Sequence, residues 1–382
     1  MKGFSCRILL ITGEISGDTY GALLIKTFRE LNTGFHFITI GGPKIRSLGV
    51  EVLFPAENLA LVGIPSFSEL KRYYFVYKKI KELLKKKKVD AVILVDFPGF
   101  NLKIAKLAKK LGYPVIYFVA PQVWAWHRRR INIIKKYIDR LYVILPFEKE
   151  FFASHGIDTV FLGHPLLDLV KPVLSKSLLY QVYNISENLP LISFFPGSRE
   201  KEVARHIPLF LKVVSALKSQ GVKFEAIMVK APGLSGSILW EEAGKQLKVV
   251  ENTQYEVLKA SDVAVLASGT ITLEAGILET PAVVTYSLPK WMFFIAKRLV
   301  KVPFVSLTNL ILNKPVYPEI VGEGSTEGLI VKEVKELLFF DKKREEVKQE
   351  LKRLKRMLGT PGASWRIAED MIKYLMKTLS FT

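Results

Sequence analysis

Two turns in the second half of the chain have the composition of phosphate-binding loops. One is Ser268-Gly269-Thr270, which follows an apolar run and opens a helix that carries Glu274. The other begins at Pro196, and its Arg199 stands between a second apolar run and a charged helix. Backbone N–H groups at a helix N-terminus attract phosphate, and an arginine fork can hold a pyrophosphate with two hydrogen bonds. Together the turns predict a nucleotide diphosphate site, with the Glu274 carboxylate on two ribose hydroxyls.

Each turn taken alone also fits an ordinary connection between a strand and a helix. A Ser or Thr would then cap the helix in one turn, and Arg199 would pair with Glu202 in the other. The dinucleotide fingerprint GxGxxG and the phosphate loop GxxxxGK[ST] are both absent from the sequence. Sites of the NAD type and of the P-loop type therefore have no motif to support them.

The first half of the chain places acids where strands end. Asp96 directly follows the five apolar residues 91–95, and partial burial there disfavours its charged form, which suits a general base. The alternative is that Asp96 caps the helix that begins near Pro98. The turn Gly13-Glu14-Ile15-Ser16-Gly17-Asp18 offers carboxylates that can bind sugar hydroxyls, although Asp18 fits a cap of the following helix equally well.

Composition limits the class of protein. A chain of 382 residues exceeds one comfortable core, so two domains are expected. The single cysteine, Cys6, excludes an internal disulfide framework, and the histidines are too scattered for a zinc site, so we expect no metal and no cofactor. The net charge of +20 indicates an anionic partner: nucleic acid, acidic lipid or a phosphorylated substrate. With no signal-peptide pattern and no spanning segment, we expect a cytoplasmic location or the cytoplasmic face of a membrane.

Short apolar runs alternate with helical patterns and predict two doubly wound parallel α/β domains. The runs of the first domain are Ile8–Thr12, His36–Ile40, Ala91–Val95, Val115–Val119, Leu141–Ile144 and Thr159–Phe161. Those of the second are Leu191–Phe195, Phe224–Val229, Lys248–Val250, Val263–Leu266 and Ala282–Tyr286. The link is expected within 166–188, and a last helix is expected after Gly359-Thr360-Pro361-Gly362.

Six motifs lie in order along nearly the whole chain. They are Gly13-Glu14-Ile15-Ser16-Gly17-Asp18, Val119-Ala120-Pro121-Gln122-Val123-Trp124-Ala125-Trp126, Leu145-Pro146-Phe147-Glu148-Lys149, Gly163-His164-Pro165-Leu166, Pro196-Gly197-Ser198-Arg199 and Ala267-Ser268-Gly269-Thr270. In this order they closely resemble the lipid-A-disaccharide synthase family. The resemblance implies a GT-B glycosyltransferase architecture, in which two Rossmann-like domains face a cleft.

The family resemblance also implies substrates and a reaction. The donor would be UDP-2,3-diacylglucosamine and the acceptor 2,3-diacylglucosamine 1-phosphate (lipid X), joined by a β-1,6 bond with inversion and release of UDP in lipopolysaccharide biosynthesis. Residues 1–168 would bind the acceptor and face the membrane, and residues 169–358 would bind the UDP-sugar. Residues 359–382 would pack on the other domain or on a partner subunit, since the family suggests homodimers with exchanged C-terminal segments.

Residue by residue, the match places Asp96 on the family's catalytic aspartate and Arg199 on its UDP-contacting arginine. Glu14 is the second candidate catalytic residue. The remaining candidate substrate-binding residues are Ser16, Gly17, Ser268, Gly269, Thr270, Glu274 and Asn309. Some family members carry a second acid where this chain has Gly99, so Asp96 is the only carboxylate of its loop. No Asp-x-Asp motif occurs, and neutralisation of the departing UDP is therefore expected to fall to Arg199 and helix N-termini.

An aromatic and basic segment, 67–88, predicts a surface for lipid. Tyr73, Val76, Tyr77, Ile80, Leu83 and Leu84 form the apolar arc of an ordinary core face. Phe75 projects instead among Lys71, Arg72, Lys78 and Lys79, with Phe67 and Tyr74 bordering the same side and Lys85 to Lys88 beyond. This pattern is typical of a helix that inserts between anionic headgroups, and a solvated Lys-rich helix is the alternative. The segment 291–300 is a candidate for a second contact or for a buried helix.

Two other classes of function remain as alternatives. Trp124-Ala125-Trp126 adjoins Arg128-Arg129-Arg130, which resembles a stacking platform for nucleic acid, but no nucleic-acid-binding signature accompanies it. A UDP-sugar epimerase, or a GT-B transferase with a soluble acceptor, is the other enzymatic alternative.

Overall fold

The computed structural model describes residues 5–31, 34–59, 67–125, 127–234, 238–286, 302–322 and 326–379. The chain divides into two compact units. Unit 1 comprises residues 1–168 and 359–382, and unit 2 comprises residues 169–358. Trp126 and the segment 291–300, which the sequence singled out, lie outside the described residues.

Unit 1 is built on a seven-stranded parallel sheet. Its strands are β1 Cys6–Ile11, β2 Phe35–Gly41, β3 Glu51–Pro55, β4 Ala91–Val95, β5 Val115–Phe118, β6 Arg140–Tyr142 and β7 Thr159–Val160, in the order β3-β2-β1-β4-β5-β6-β7. The residues of β4 are buried on both faces, which is why this strand reads as a continuous apolar run. The sequence analysis missed β3, because this edge strand is only partly buried and its apolar run is only three residues long.

The helices of unit 1 connect these strands. They are α1 Ile15–Glu30, α2 Pro43–Arg46, α3 Phe67–Lys85, α4 Pro98–Lys110, α5 Arg130–Tyr137, α6 Pro146–Ala153 and α7 Leu166–Leu169, the last at the boundary with unit 2. Helix α3 buries Val76, Ile80 and Leu84 in the core of unit 1, with Tyr73, Tyr77 and Leu83 packed beside them. The predicted core face of this helix is thus confirmed.

Unit 2 contains a six-stranded parallel sheet. Its strands are β8 Leu191–Phe195, β9 Glu225–Lys230, β10 Lys248–Glu251, β11 Val263–Ala267, β12 Ala282–Tyr286 and β13 Glu319–Val321, in the order β10-β9-β8-β11-β12-β13. Its helices are α8 Lys176–Val182, α9 Glu200–Ser219, α10 Ile238–Gly244, α11 Gln254–Ala260, α12 Thr270–Ile277, α13 Leu307–Leu312, α14 Thr326–Phe339 and α15 Asp341–Met357. The two sheets confirm the predicted fold class of two doubly wound parallel domains, although the short edge strand β13 was not predicted.

The last helix, α16 Ala363–Thr378, returns to unit 1 and packs on α1. The carboxylate of Asp168 accepts hydrogen bonds from the backbone N–H groups of Gly362 and Ser364 at its start. Further along, Asp370 accepts hydrogen bonds from the Arg140 guanidinium and the Tyr142 hydroxyl. Among the helices that the structure describes, none combines the length and the apolar character needed to cross a membrane.

Candidate active site

Both sheets reverse their strand order at one point, and the candidate residues follow the strands that meet there. In unit 1 the reversal lies between β1 and β4, which pair at Ile11 and Leu94. In unit 2 it lies between β8 and β11, which pair at Phe195 and Leu266. Ligands of open α/β sheets bind at such reversals, beyond the carboxyl ends of the strands. Each unit therefore joins two turns that are far apart in sequence: 13–18 with 96–98, and 196–199 with 268–270.

Asp96 and Phe97 adopt a strained backbone where β4 ends. Their φ angles are 48° and 52°, in the left-handed region that non-glycine residues avoid at a cost of about 1–3 kcal/mol each. The Phe97 ring lies directly on the backbone of Gly13, where a Cβ atom would come within 2.1 Å of the ring. Gly13 thus allows the two loops to meet, since any side chain there would displace Phe97.

The surroundings of Asp96 favour proton transfer at neutral pH. Burial and, to a smaller extent, the nearby negative charge of Glu14 raise the pKa of Asp96 to about 7, although a hydrogen bond from the Phe97 N–H acts to lower it. A carboxyl group with this pKa is about half ionised at pH 7, which is favourable for a general base. The N-cap residue of α4 is Phe97, so the interpretation of Asp96 as the cap of that helix is wrong.

The turn after β1 places three candidate residues beside Asp96. Glu14 is exposed at the N-cap position of α1, and Ser16 is half-buried in the first turn. A Cβ atom on Gly17 would lie 4.0 Å from the Cβ of Asp96, so the helix start and the aspartate are neighbours. Glycine at this position leaves room between them.

Asp18 does not act as the sequence suggested. It is buried inside α1, and its carboxylate accepts hydrogen bonds from the backbone N–H groups of Gly42 at 2.7 Å and Lys44 at 2.8 Å. Asp18 thus caps the start of α2 and not that of α1. Its carboxylate is occupied and does not face a sugar.

Trp124 is likewise committed to the protein interior. It is buried, its indole N–H donates to Glu148 Oε1 at 3.0 Å, and its ring meets Phe147 edge-on. Glu148 also accepts from the backbone N–H of Leu145, and burial raises its pKa to about 7. The interpretation of Trp124 as a stacking platform for nucleic acid is therefore wrong. The sequence analysis assigned no role to Glu148, although an acid that follows an apolar run is a signal for one.

In unit 2 the turn after β8 is shaped by Gly197 and Glu202. Gly197 has a φ of 116°, and a Cβ atom there would come within 2.8 Å of the Glu202 carboxylate. Arg199 Nη1 donates to Glu202 Oε1 at 3.2 Å, so the pairing considered for this arginine is present. The Arg199 side chain is nevertheless 58% exposed.

Tyr286, at the end of β12, belongs to the same place and was not recognised from the sequence as a site residue. Its side chain is exposed, and the charges of both Arg199 and Glu202 influence its hydroxyl, whose pKa is raised mainly by partial burial. An aromatic residue that ends a strand next to β11 was the available signal.

The turn after β11 has the geometry of an open helix start. Gly269 is exposed with a φ of 153° and is the N-cap of α12, whose first turn begins at Thr270. The Ser268 hydroxyl donates to the backbone oxygen of Val305 at 2.8 Å, which ties this turn to the segment before α13. Glu274 is half-buried one turn further along, and the Tyr255 hydroxyl donates to its carboxylate at 3.5 Å.

Asn309 is buried, contrary to what a direct ligand contact requires. Its Nδ2 donates to the Tyr317 backbone oxygen at 2.8 Å and to Glu319 Oε1 at 2.9 Å, and its Oδ1 accepts from the Tyr317 backbone N–H. Glu319 also accepts from the backbone N–H groups of Val305 and Ser306. The role expected for Asn309 is thus corrected: it anchors α13 to β13, and the missed residue Glu319 is the centre of this network. A glutamate at the start of a short apolar strand was its only sequence signal.

The outer side of α3 carries a row of exposed apolar side chains. Phe67 is 74% exposed, Tyr74 70%, Phe75 51% and Leu70 50%. The ammonium groups of Lys71 and Lys79 lie over the rings of Phe67 and Phe75, at 4.7 and 5.6 Å from the ring centres. We call this set, together with Lys78, the α3 stripe. Leu70 extends the surface that the sequence indicated.

The chain is similar to known proteins along nearly its whole length. The family model described as lipid-A-disaccharide synthetase matches residues 8–365. The lipid-A-disaccharide synthase of Syntrophus aciditrophicus is 33% identical over 376 residues, which cover 97% of this chain and 98% of that protein.

Solved structures show the same fold at low sequence identity. The UDP-GlcNAc 2-epimerase of Neisseria meningitidis, in complex with UDP-GlcNAc, matches with a TM-score of 0.66 at 13% identity and covers 96% of this chain and 100% of that chain. A calicheamicin glycosyltransferase matches with a TM-score of 0.62 at 14% identity and covers 99% of both chains. Similarity at this level of identity concerns the fold alone.

Proposed function

Because the chain belongs to the lipid-A-disaccharide synthase family, we propose that it joins UDP-2,3-diacylglucosamine to lipid X, forming the β-1,6-linked lipid A disaccharide 1-phosphate and UDP. The structural observation that supports this best is Asp96, a carboxyl group with a pKa of about 7 at the strand reversal of unit 1. A glycosyl transfer to a hydroxyl needs such a base, because the attacking oxygen must lose its proton.

The reaction follows from the two groups of residues. Asp96 takes the proton of the acceptor 6-hydroxyl while that oxygen attacks the anomeric carbon from the face opposite UDP. The bond from the anomeric carbon to the diphosphate breaks in the same step, so the configuration inverts without a covalent intermediate. Inverting glycosidases, by analogy, also use a carboxylate base in a single displacement. Burial and, second to it, the charge of Glu14 keep the pKa of Asp96 high, and Ser16 and Gly17 offer backbone N–H groups of the α1 start to a substrate.

The donor would be held by unit 2. Arg199 reaches the diphosphate by leaving Glu202, and the α12 start at Gly269 and Thr270 provides N–H groups that have no partner within the helix. Ser268 adjoins these donors and shapes the turn, since its own N–H donates to the Thr285 backbone oxygen at 2.8 Å. Glu274 takes the ribose hydroxyls. Asn309 contributes indirectly, since the network around it holds Val305 against Ser268.

The test is UDP release from UDP-2,3-diacylglucosamine with and without lipid X, with the product identified by mass spectrometry. We expect one disaccharide per UDP and no release without lipid X. An epimerase would convert the UDP-sugar alone. A transferase for soluble acceptors would use an acceptor that lacks acyl chains, and either result would replace the proposed function.

The α3 stripe supports a proposal for the location. Acylated substrates reside in a membrane, and exposed aromatic rings among lysines suit the boundary between anionic headgroups and acyl chains. We therefore propose that Phe67, Tyr74 and Phe75, with Lys78 and Lys79, dock unit 1 on the cytoplasmic face of the inner membrane.

The oligomeric state is a further part of the proposal. Helix α16 follows the glycines Gly359 and Gly362, both with φ values in the left-handed region, and is held by Asp168 and Arg140. Exchange of this helix between two subunits would make the same contacts in a homodimer. Sedimentation equilibrium of the full chain tests this, and a single species of 43.3 kDa at all concentrations would contradict it.

A further inference from the structure

The backbone oxygen of Asp96 accepts hydrogen bonds from two buried side chains outside its own loop. The Tyr117 hydroxyl, on β5, donates to it at 2.5 Å, and Asn101 Nδ2, on α4, donates to it at 2.7 Å. Both residues are fully buried. Because the Asp96 backbone is in the left-handed region, its carbonyl position is not the one an ordinary strand end would give.

Asn101 does more than satisfy one carbonyl. Its Nδ2 also lies 3.2 Å from the Val95 oxygen and 3.4 Å from the Ile11 oxygen, so one amide group contacts the carboxyl ends of β4 and β1. Within the described part of the chain, its Oδ1 has no hydrogen-bond partner. The Asn101 side chain is thus oriented so that its Nδ2 donor is used, while its Oδ1 acceptor is left without a partner among the described residues.

We propose that Tyr117 and Asn101 are positioning residues, which hold the Asp96 carbonyl and thereby fix the direction in which the Asp96 carboxyl group projects. This inference rests on the proposed role of Asp96 as the base. The carbonyl and the carboxyl group depend on the same φ and ψ, so a return to an ordinary backbone would withdraw the carbonyl from both donors and redirect the carboxyl group.

The Tyr117 hydroxyl stays protonated, and so remains a hydrogen-bond donor, over the working pH range. Burial raises the pKa of Tyr117 well above its ordinary value, and the Asp96 charge adds to this while Arg130 on α5 opposes it. Tyr117 therefore keeps its proton as a donor. Glu14 from the α1 start and Glu148 from α6 are the other ionisable groups that interact with Asp96.

The experiment compares Tyr117→Phe with Tyr113→Phe, a matched control. Tyr113 is also buried in unit 1 and also donates its hydroxyl to a backbone oxygen, that of Leu84 at 2.6 Å. We expect Tyr117→Phe to lower kcat roughly tenfold with the donor KM within about twofold, and to move the acid limb of the kcat profile to lower pH as the carboxyl group gains solvent. Tyr113→Phe should leave both unchanged at a similar loss of melting temperature. Asn101→Ser should change kcat and its pH profile in the same way as Tyr117→Phe. If Tyr117→Phe, Asn101→Ser and the control Tyr113→Phe all have the same kcat and pH profile, the inference is wrong.

A readout without substrate separates this inference from the proposed function. Ionisation of Asp96 contributes to a fall of the wild-type melting temperature as the pH rises from about 4 to about 7, since the folded pKa of about 7 exceeds that of the unfolded chain. The melting temperature of Tyr117→Phe should fall less over this range, and that of Tyr113→Phe should fall as much as that of the wild type. If no UDP is released by any form, the family reaction is wrong for this chain, but a wild-type slope in Tyr117→Phe would overturn the positioning role by itself.

Discussion

At the scale of single residues, Asp96 and Arg199 have opposite environments suited to different tasks. Asp96 is half-buried and has a strained backbone, and its pKa of about 7 lets it exchange a proton near neutral pH. Arg199 is exposed, and its ion pair with Glu202 at 3.2 Å is a surface pair that contributes little stability and can be exchanged for a ligand. A base must be positioned before substrate arrives, whereas a diphosphate contact can form on binding.

Replacement of the proposed base should abolish most turnover. In Asp96→Asn we expect kcat to fall by about 100-fold or more, because shape is kept and basicity is lost, while UDP binding measured by calorimetry stays the same. Wild-type kcat should rise with pH through about 7, as the Asp96 carboxyl group loses its proton, and the residual activity of the variant should lack this limb.

The control for this variant is Asp90→Asn, because Asp90 stands just before the same strand and accepts a hydrogen bond from the Arg7 N–H. Its kcat should match that of the wild type. Near-normal turnover in Asp96→Asn would move the base to Glu14.

Loss of the arginine should weaken donor and UDP binding together. A charge-assisted contact to the diphosphate serves the ground state and the transition state alike, so Arg199→Ala should raise the Kd for UDP, and Arg199→Lys should restore only part of the affinity. Arg205→Ala, an exposed arginine on the same helix, is the control. An unchanged Kd in Arg199→Ala would mean that the phosphate lies elsewhere.

At the scale of elements, α3 serves two surfaces at once. Its inner face contributes Val76, Ile80 and Leu84 to the core, and the α3 stripe projects outwards. These functions are separable by substitution because they lie on different sides of the helix.

Removing one ring of the stripe should weaken membrane binding without harming the fold. We expect Phe75→Ser to reduce sedimentation with anionic vesicles, since an aromatic ring at the interface contributes about 1–3 kcal/mol. Neutralising Lys85 to Lys88 should weaken vesicle binding further, by up to about 1 kcal/mol of binding free energy per charge. This loss should become smaller as the salt concentration rises.

Phe340→Ser, which removes an exposed phenylalanine of unit 2, is the matched control and should bind vesicles as the wild type does. UDP binding should stay normal in all of these variants. Unchanged vesicle binding with a lower melting temperature in Phe75→Ser would show that Phe75 stabilises the core and that lipid is met elsewhere.

At the scale of the whole molecule, we propose that positive charge takes the place of a bridging cation. The chain carries a net charge of +20 and has no Asp-x-Asp motif, and the proposed diphosphate ligands are Arg199 and the α12 start. EDTA should therefore leave UDP release at the wild-type rate. Activity that is lost on chelation and restored by a divalent ion would contradict this mechanism.

The sequence by itself determined the elements and most of the turns. Strand β4 and the turns at Asp96, Arg199 and Ser268 were predicted from runs of a few residues, because burial on both faces and helix starts leave local patterns. The edge strands β3 and β13 were missed, since they are only partly buried and have weak patterns of their own.

Only the tertiary structure decided which turns meet and which polar groups are used internally. Asp18 caps α2 across 26 residues of chain, Asn309 is fixed by β13, and Tyr117 reaches Asp96 from the neighbouring strand. Such contacts join residues 10 to 26 positions apart, beyond the reach of a local pattern, and a single sequence records the residue types but not the strand order that pairs β1 with β4. The direction of the Asp96 carboxyl group therefore depends on packing that no local pattern contains.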